Sequence, residues 1–81
     1  MTMPVSQWFI LAGQQREADF LYNDKKYSIS INSRGRWFLT RYGEPENAQE
    51  FSSFFEIIDN ALVDNIPFKE VCGRFEVEAV Y

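Results

Sequence analysis

The sequence predicts an α+β domain: an antiparallel sheet of four to five strands, with one long helix packed across one face, in the order β-β-β-β-α-β. Three observations carry this. From Lys26 to Asn32, Tyr27, Ile29 and Ile31 alternate with Ser28, Ser30 and Asn32, the period of a strand with one buried face. From Arg74 to Tyr81, Phe75, Val77, Ala79 and Tyr81 alternate in the same way with Arg74, Glu76, Glu78 and Val80. From Asn47 to Ile66, Ala48, Phe51, Phe54, Phe55, Ile58, Ala61 and Leu62 fall on one face at helical spacing. The 81 residues make one domain, spanning residues 1–81, with no internal repeat, low-complexity tract or linker.

Each element follows from local chemistry. Met1 to Pro4 read as a frayed end. Val5 to Ala12 holds the apolar run Trp8-Phe9-Ile10-Leu11, too short for a helix standing alone and therefore read as a strand; a first segment in helical form, over a three-stranded sheet, is the alternative. Gly13-Gln14-Gln15 is a turn, and Glu17 to Tyr22 places Ala18, Phe20 and Tyr22 on one side of a second strand. Asn23-Asp24-Lys25 turns the chain into the strand at Lys26. Ser33-Arg34-Gly35 is a hairpin turn in which Gly35 can take a positive φ. The returning strand, Arg36 to Tyr42, points Trp37 and Leu39 one way and Phe38, Thr40 and Tyr42 the other, so both faces carry aromatics and one aromatic face is central or partly exposed.

Asn47 is the expected cap of the long helix, with Glu50 three residues on in a capping box, and Pro67 is its expected stop. On this reading Phe55 is a core residue, and Phe55→Ala is expected to cost about 3–5 kcal/mol. Pro67 to Gly73 is irregular or a single helical turn, and the last strand joins the sheet at an edge or beside an early strand.

Composition narrows function. The chain contains no histidine, which removes the usual general base, the Ser-His and Cys-His nucleophile pairs and the commonest zinc ligand. No glycine-rich phosphate loop, metal-ligand cluster or paired carboxylate nominates a reaction, so no enzyme, cofactor or metal is expected. The single cysteine, Cys72, reads as a small buried hydrophobe and fits a reducing cytoplasm. No apolar run is long enough to span a membrane.

The formal net charge of -4 is unevenly distributed. Residues 1–43 hold six basic against three acidic side chains, a net of +3, and residues 44–81 hold nine acidic against two basic, a net of -7. Such segregation bears on partner choice more than on fold. Between Gly43 and Pro67 there is no Lys or Arg, and Glu50, Glu56, Asp59 and Asp64 form the expected partner-binding surface: acids without i,i+4 basic neighbours on the outer side of the helix. The expected partner is a larger protein with a basic or nucleic-acid-handling surface, and the chain would act on it as an inhibitor or accessory factor of the kind mobile elements and phages carry.

The competing surface is basic and aromatic: Lys25, Lys26, Arg34, Arg36, Trp37, Arg41 and Tyr42, which could meet phosphates and stack on bases of a single strand. The run Ser33-Arg34-Gly35-Arg36 followed by Trp37-Phe38-Leu39 resembles the corresponding turn of Pur-type single-strand-binding sheets. The resemblance implies a helix behind a curved four-stranded sheet. In that pattern two further strands precede the helix, whereas here the helix follows directly. The net negative charge disfavours nucleic acid, because phosphate neutralisation supplies most non-specific affinity. A third surface is the C-terminal strand, whose free backbone groups would let a second copy pair if it lies at an edge.

Overall fold

The computed structural model describes all 81 residues and is an α+β fold with helices on one face of a five-stranded antiparallel sheet. The elements run α1 Val5–Gly13, β1 Ala18–Tyr22, β2 Lys25–Ile31, β3 Trp37–Arg41, β4 Gln49–Phe51, α2 Phe54–Asn60, β5 Leu62–Val63, β6 Ile66–Pro67, α3 Phe68–Val71 and β7 Glu76–Val80. The sheet order is β4-β3-β2-β1-β7, and β5 and β6 form a separate hairpin. The last strand is therefore both at an edge and beside the first. No helix is long and apolar enough to cross a membrane.

The first segment is a helix and not a strand. Trp8, Leu11 and Ala12 are its buried residues, at i, i+3 and i+4, whereas a strand with Trp8 and Ala12 inward would have buried Ile10, which is exposed, and left Leu11 out. Its end is closed by a Schellman pattern, with the Gln15 and Arg16 N–H groups donating to the Ala12 and Leu11 carbonyls. Gln15 sits there at φ 53, a left-handed position taken without a glycine to signal it. The N-terminal residues are not frayed. Met3 is buried, and the Met1 carbonyl accepts from Val77 N–H on the outer edge of β7.

The helical stretch expected over Asn47 to Ile66 is divided among five elements. Asn47 ends a 3-10 turn at Pro45–Asn47 and donates its side-chain amide to Glu44, and Glu50 lies on β4. The capping box occurs later, at Ser53 and Glu56: Ser53 Oγ accepts from Glu56 N–H, while the Glu56 carboxylate accepts from Ser52 N–H and Ser52 Oγ. These two bonds from Ser52, the hydroxyl's first, hold the Glu56 carboxyl below the usual carboxylate range. The helix ends at Asn60, before Pro67 can act. Asp64 and Asn65 take φ of 56 and 63, the two left-handed positions of a type I′ hairpin turn, between the strand formers Val63 and Ile66. Gln49 fastens this hairpin to the sheet by mimicking a strand: its side-chain amide donates to the Leu62 carbonyl and accepts from Leu62 N–H.

Shortening α2 to Phe54–Asn60 changes which phenylalanine is buried. Phe54, Ile57, Ile58 and Ala61 face the sheet, while Phe55 is 45% exposed and touches only the edge of the core, with its ring 6.3 Å from that of Phe9. The expectation that Phe55 anchors the core is therefore wrong. The centre of the core is Trp8. Its ring meets Phe20, Phe68 and Phe75 edge-on at 5.4–5.8 Å, and its indole N–H donates to the Cys72 carbonyl at 3.1 Å. Cys72 itself is fully buried, and burial pushes its thiol pKa up.

Candidate functional site: the open face of the sheet

Alternation divides the sheet sharply. Ala18, Phe20, Tyr22, Tyr27, Ile29, Trp37, Leu39 and Val77 turn toward the helices and are buried. Their neighbours turn to the other side, where no element of the chain packs. In cross-strand order this open face reads Glu50, Phe38 and Ser30 in one row, and Thr40, Ser28, Asp19 and Ala79 in the next. The third row holds Lys26, Leu21 and Glu76, with Tyr42 beside Lys26. The centre is hydroxyl-bearing, and it is flanked by Phe38, Tyr42 and Tyr81.

Polar groups on this face are fixed by one another. Asp19 is the one buried charged side chain of the protein, and it accepts a 2.6 Å bond from the Tyr81 hydroxyl. That bond, more than burial, raises the Tyr81 pKa. Lys26 Nζ lies 3.5 Å from Glu78 and 4.6 Å above the Tyr42 ring, and Arg36 Nε donates to Glu50 at 2.9 Å. Four acids (Asp19, Glu50, Glu76 and Glu78) share the face with two bases (Lys26 and Arg36), so its charge is negative.

The four acids expected to form one surface are separated, and each has a partner. Glu50 pairs with Arg36 on the open face, and Glu56 is consumed by the capping box. Asp59 pairs with Lys69 of α3 at 2.9 Å. Asp64 sits at the tip of the β5–β6 hairpin, taking Lys25 at 3.0 Å and Asn23 at 3.3 Å. Asn23 and Asp24 form the corresponding left-handed turn of the β1–β2 hairpin, so the two hairpin tips are joined through Asp64. The partners of Glu50, Asp59 and Asp64 come from other segments, which i,i+4 arithmetic does not register.

The basic set is divided as well. Lys26, Arg36 and Tyr42 belong to the open face, but Lys25 and Arg41 lie on the helix side with Tyr27, Arg41 pairing with Glu44 at 2.9 Å. Trp37 is buried and packs against Phe54. Arg34 stands at the exposed hairpin tip, whose backbone is held by Asn32 Oδ1 accepting from both Arg34 and Arg36 N–H; Gly35 takes the left-handed φ of 78 there, as the sequence predicts. The expected continuous strip is thus on two sides of the sheet.

No protein-family model, curated protein or solved structure matches this chain.

The site therefore rests on its own geometry. Leu21, Ser28, Ser30, Thr40 and Tyr81 were absent from both expected surfaces. The signal for them was the second face of β3, where Phe38, Thr40 and Tyr42 alternate against Trp37 and Leu39.

The hairpin junction gives a pH prediction. Lys25, then Asn23, hold the Asp64 carboxyl below the ordinary aspartate range. A depressed pKa means that the contribution to stability is present above the unfolded-state value and is lost as pH falls through the folded-state value. Asp64→Asn keeps a residue that suits the left-handed turn but removes the charge. Denaturant unfolding should find the parent more stable than this variant at neutral pH, with the gap closing under acid. A gap independent of pH would show that the ion pair contributes nothing.

Proposed function

We propose that this chain is a non-enzymatic protein-binding module that seats the open face of its sheet on a basic surface of a larger partner, as an inhibitor or accessory factor does. The observation that supports this reading is an uncovered five-stranded face with a hydroxyl-bearing centre, three flanking aromatics and an acidic balance of charge. Aromatic residues are enriched on protein-binding surfaces, and three of them border this face. A surface set on rigid strands loses little freedom on docking, which favours association.

The same aromatics would suit a single nucleic-acid strand, and Phe38, Tyr42 and Arg34 are exposed enough to take part. The charge argues the other way. Lys26 and Arg36 are each paired with a carboxylate, and the surplus acids repel phosphate.

Affinity capture from cells of the source organism should recover a protein at stoichiometric yield. Thr40→Arg, which places a long cation at the centre of the face without touching the core, should abolish that recovery while leaving the melting temperature near that of the parent. Labelled single-stranded DNA or RNA at low salt should show no saturable binding up to roughly 100 µM, the weak end of non-specific affinity. Unchanged capture by Thr40→Arg, or tight single-strand binding, would overturn the proposal.

A further inference from the structure

Five of the nine large apolar side chains that the protein exposes lie together on the helix side, away from the open face. Val5 and Phe9 stand four residues apart on α1, with Ile10 beside them. The Phe9 ring is 6.3 Å from that of Phe55 on α2, and Phe55 and Ile31 border one groove of about 320 Å³. Each of the five is 36–50% exposed, and these contacts join them into one patch. Apolar side chains scattered singly need no explanation, whereas a cluster of them marks an interaction surface.

Charge narrows what can cover it. Met1 to Gln15 contain no ionisable side chain, and no residue lining the groove is charged. Beside Phe55, Glu56 is held by Ser52 in the capping box, and Asp59 is paired with Lys69. The border holds both signs: Arg34 at the hairpin tip, Arg16 bonded to the Tyr81 carbonyl, and Glu17, which accepts from Ile31 N–H. A chain of net charge -4 repels an anionic membrane, and it repels its own copy wherever acidic surfaces meet. A basic partner, the kind that the open face fits, finds no surplus of carboxylates here to draw it. A second copy always presents the same uncharged apolar face, and two copies meeting here bring together no run of like charge.

The shape is self-complementary as well. Phe9 and Ile10 project from α1, and the groove beside Phe55 recedes, so a two-fold axis sets the projections of each copy against the hollow of the other.

We propose that this face joins two copies of the chain about a two-fold axis, with Phe9 and Ile10 of each seated against Phe55, Ile31 and the groove of the other. α1 spans only about 14 Å, so the buried area falls at the small end of specific interfaces and the dimer is weak. Both open faces stay uncovered, which makes the dimer a bivalent form of the module. The contact does not depend on what the open faces bind.

Sedimentation equilibrium of the full chain between roughly 5 µM and 1 mM, the range of a small interface, should show reversible conversion to a dimer. Added sodium chloride should leave the association intact or strengthen it, because it screens repulsion between the copies and breaks no ion pair. Ile10→Lys, at an exposed position of α1, should keep the chain monomeric throughout, with a melting temperature at low concentration near that of the parent. Phe55→Lys should do the same from α2, and it serves if the α1 variant does not fold. Leu62→Lys removes an exposed apolar group from the β5–β6 hairpin instead and should dimerise as the parent does. A parent that is monomeric at the highest concentration, a dimer that salt dissociates, or an equal loss in Leu62→Lys would overturn the proposal. So would a monomeric parent whose binding to phosphatidylcholine vesicles, or to a captured larger protein, is abolished by Ile10→Lys. The face would then belong to lipid or to that protein.

Discussion

Trp8→Ala is expected to destabilise the protein by about 3–5 kcal/mol, the range for a large aromatic removed from a packed core. Three phenylalanine rings lean edge-on against this indole and a fourth, that of Phe54, is tilted against it, so the vacated space opens among groups from α1, α2, α3, the sheet and the segment before β7. The substitution also leaves the Cys72 carbonyl without its donor. A domain of this size has a total stability of the same order, so the variant should be largely unfolded at room temperature. Trp8→Phe separates the two contributions, keeping most of the ring while losing the N–H. Circular dichroism with urea titration checks both. A Trp8→Ala protein as stable as the parent would contradict the assignment of Trp8 to the centre of the core.

The second large effect is a contrast between neighbours. Phe54→Ala should also cost about 3–5 kcal/mol, because that side chain is buried against Trp8 and Trp37. Phe55→Ala should cost about 1 kcal/mol or less, since nearly half of Phe55 is in water and its main aromatic partner is Phe9, itself partly exposed. Paired unfolding curves decide the matter. Equal losses, or a larger loss at Phe55, would mean that α2 is rotated about its axis from the arrangement described here, closer to the single long helix that the sequence alone predicts.

The reason the sequence misleads at this helix is physical. The apolar residues from Ala48 to Leu62 do recur at helical spacing, but Gln49 and Phe51 serve a strand whose partner, β3, lies earlier in the chain, and Leu62 and Val63 open a hairpin with Ile66 and Pro67. Propensity and periodicity carry no record of those partners. The same holds for Trp8 to Leu11, where four consecutive apolar residues fit either period until Phe20, Phe68 and Phe75 surround the indole. The strand at Lys25–Ile31 was legible because one face is dry and the other wet, and so were the turns at Asn23-Asp24 and Gly35. At Glu76–Val80 the expected alternation holds only to Val77, because a bulge opposite Asp19 and Phe20 turns Ala79 and Tyr81 to the open face and Val80 to the core. Of the surfaces, the sequence displays which residues are charged but not which are already neutralised. Arg36 with Glu50, Lys69 with Asp59 and Lys25 with Asp64 are pairs made only by folding.

Folding thus shifts attention from the acidic side of the helix to the opposite side of the sheet. Hydroxyl-radical footprinting of the captured complex tests this most directly, because it reads the exposure of single aromatic side chains. Phe38, Tyr42 and Tyr81 should lose reactivity on association, while Phe9 and Phe55 on the helix layer should be oxidised as in the free protein. Protection of Phe9 and Phe55, with Phe38, Tyr42 and Tyr81 unchanged, would contradict the proposed surface.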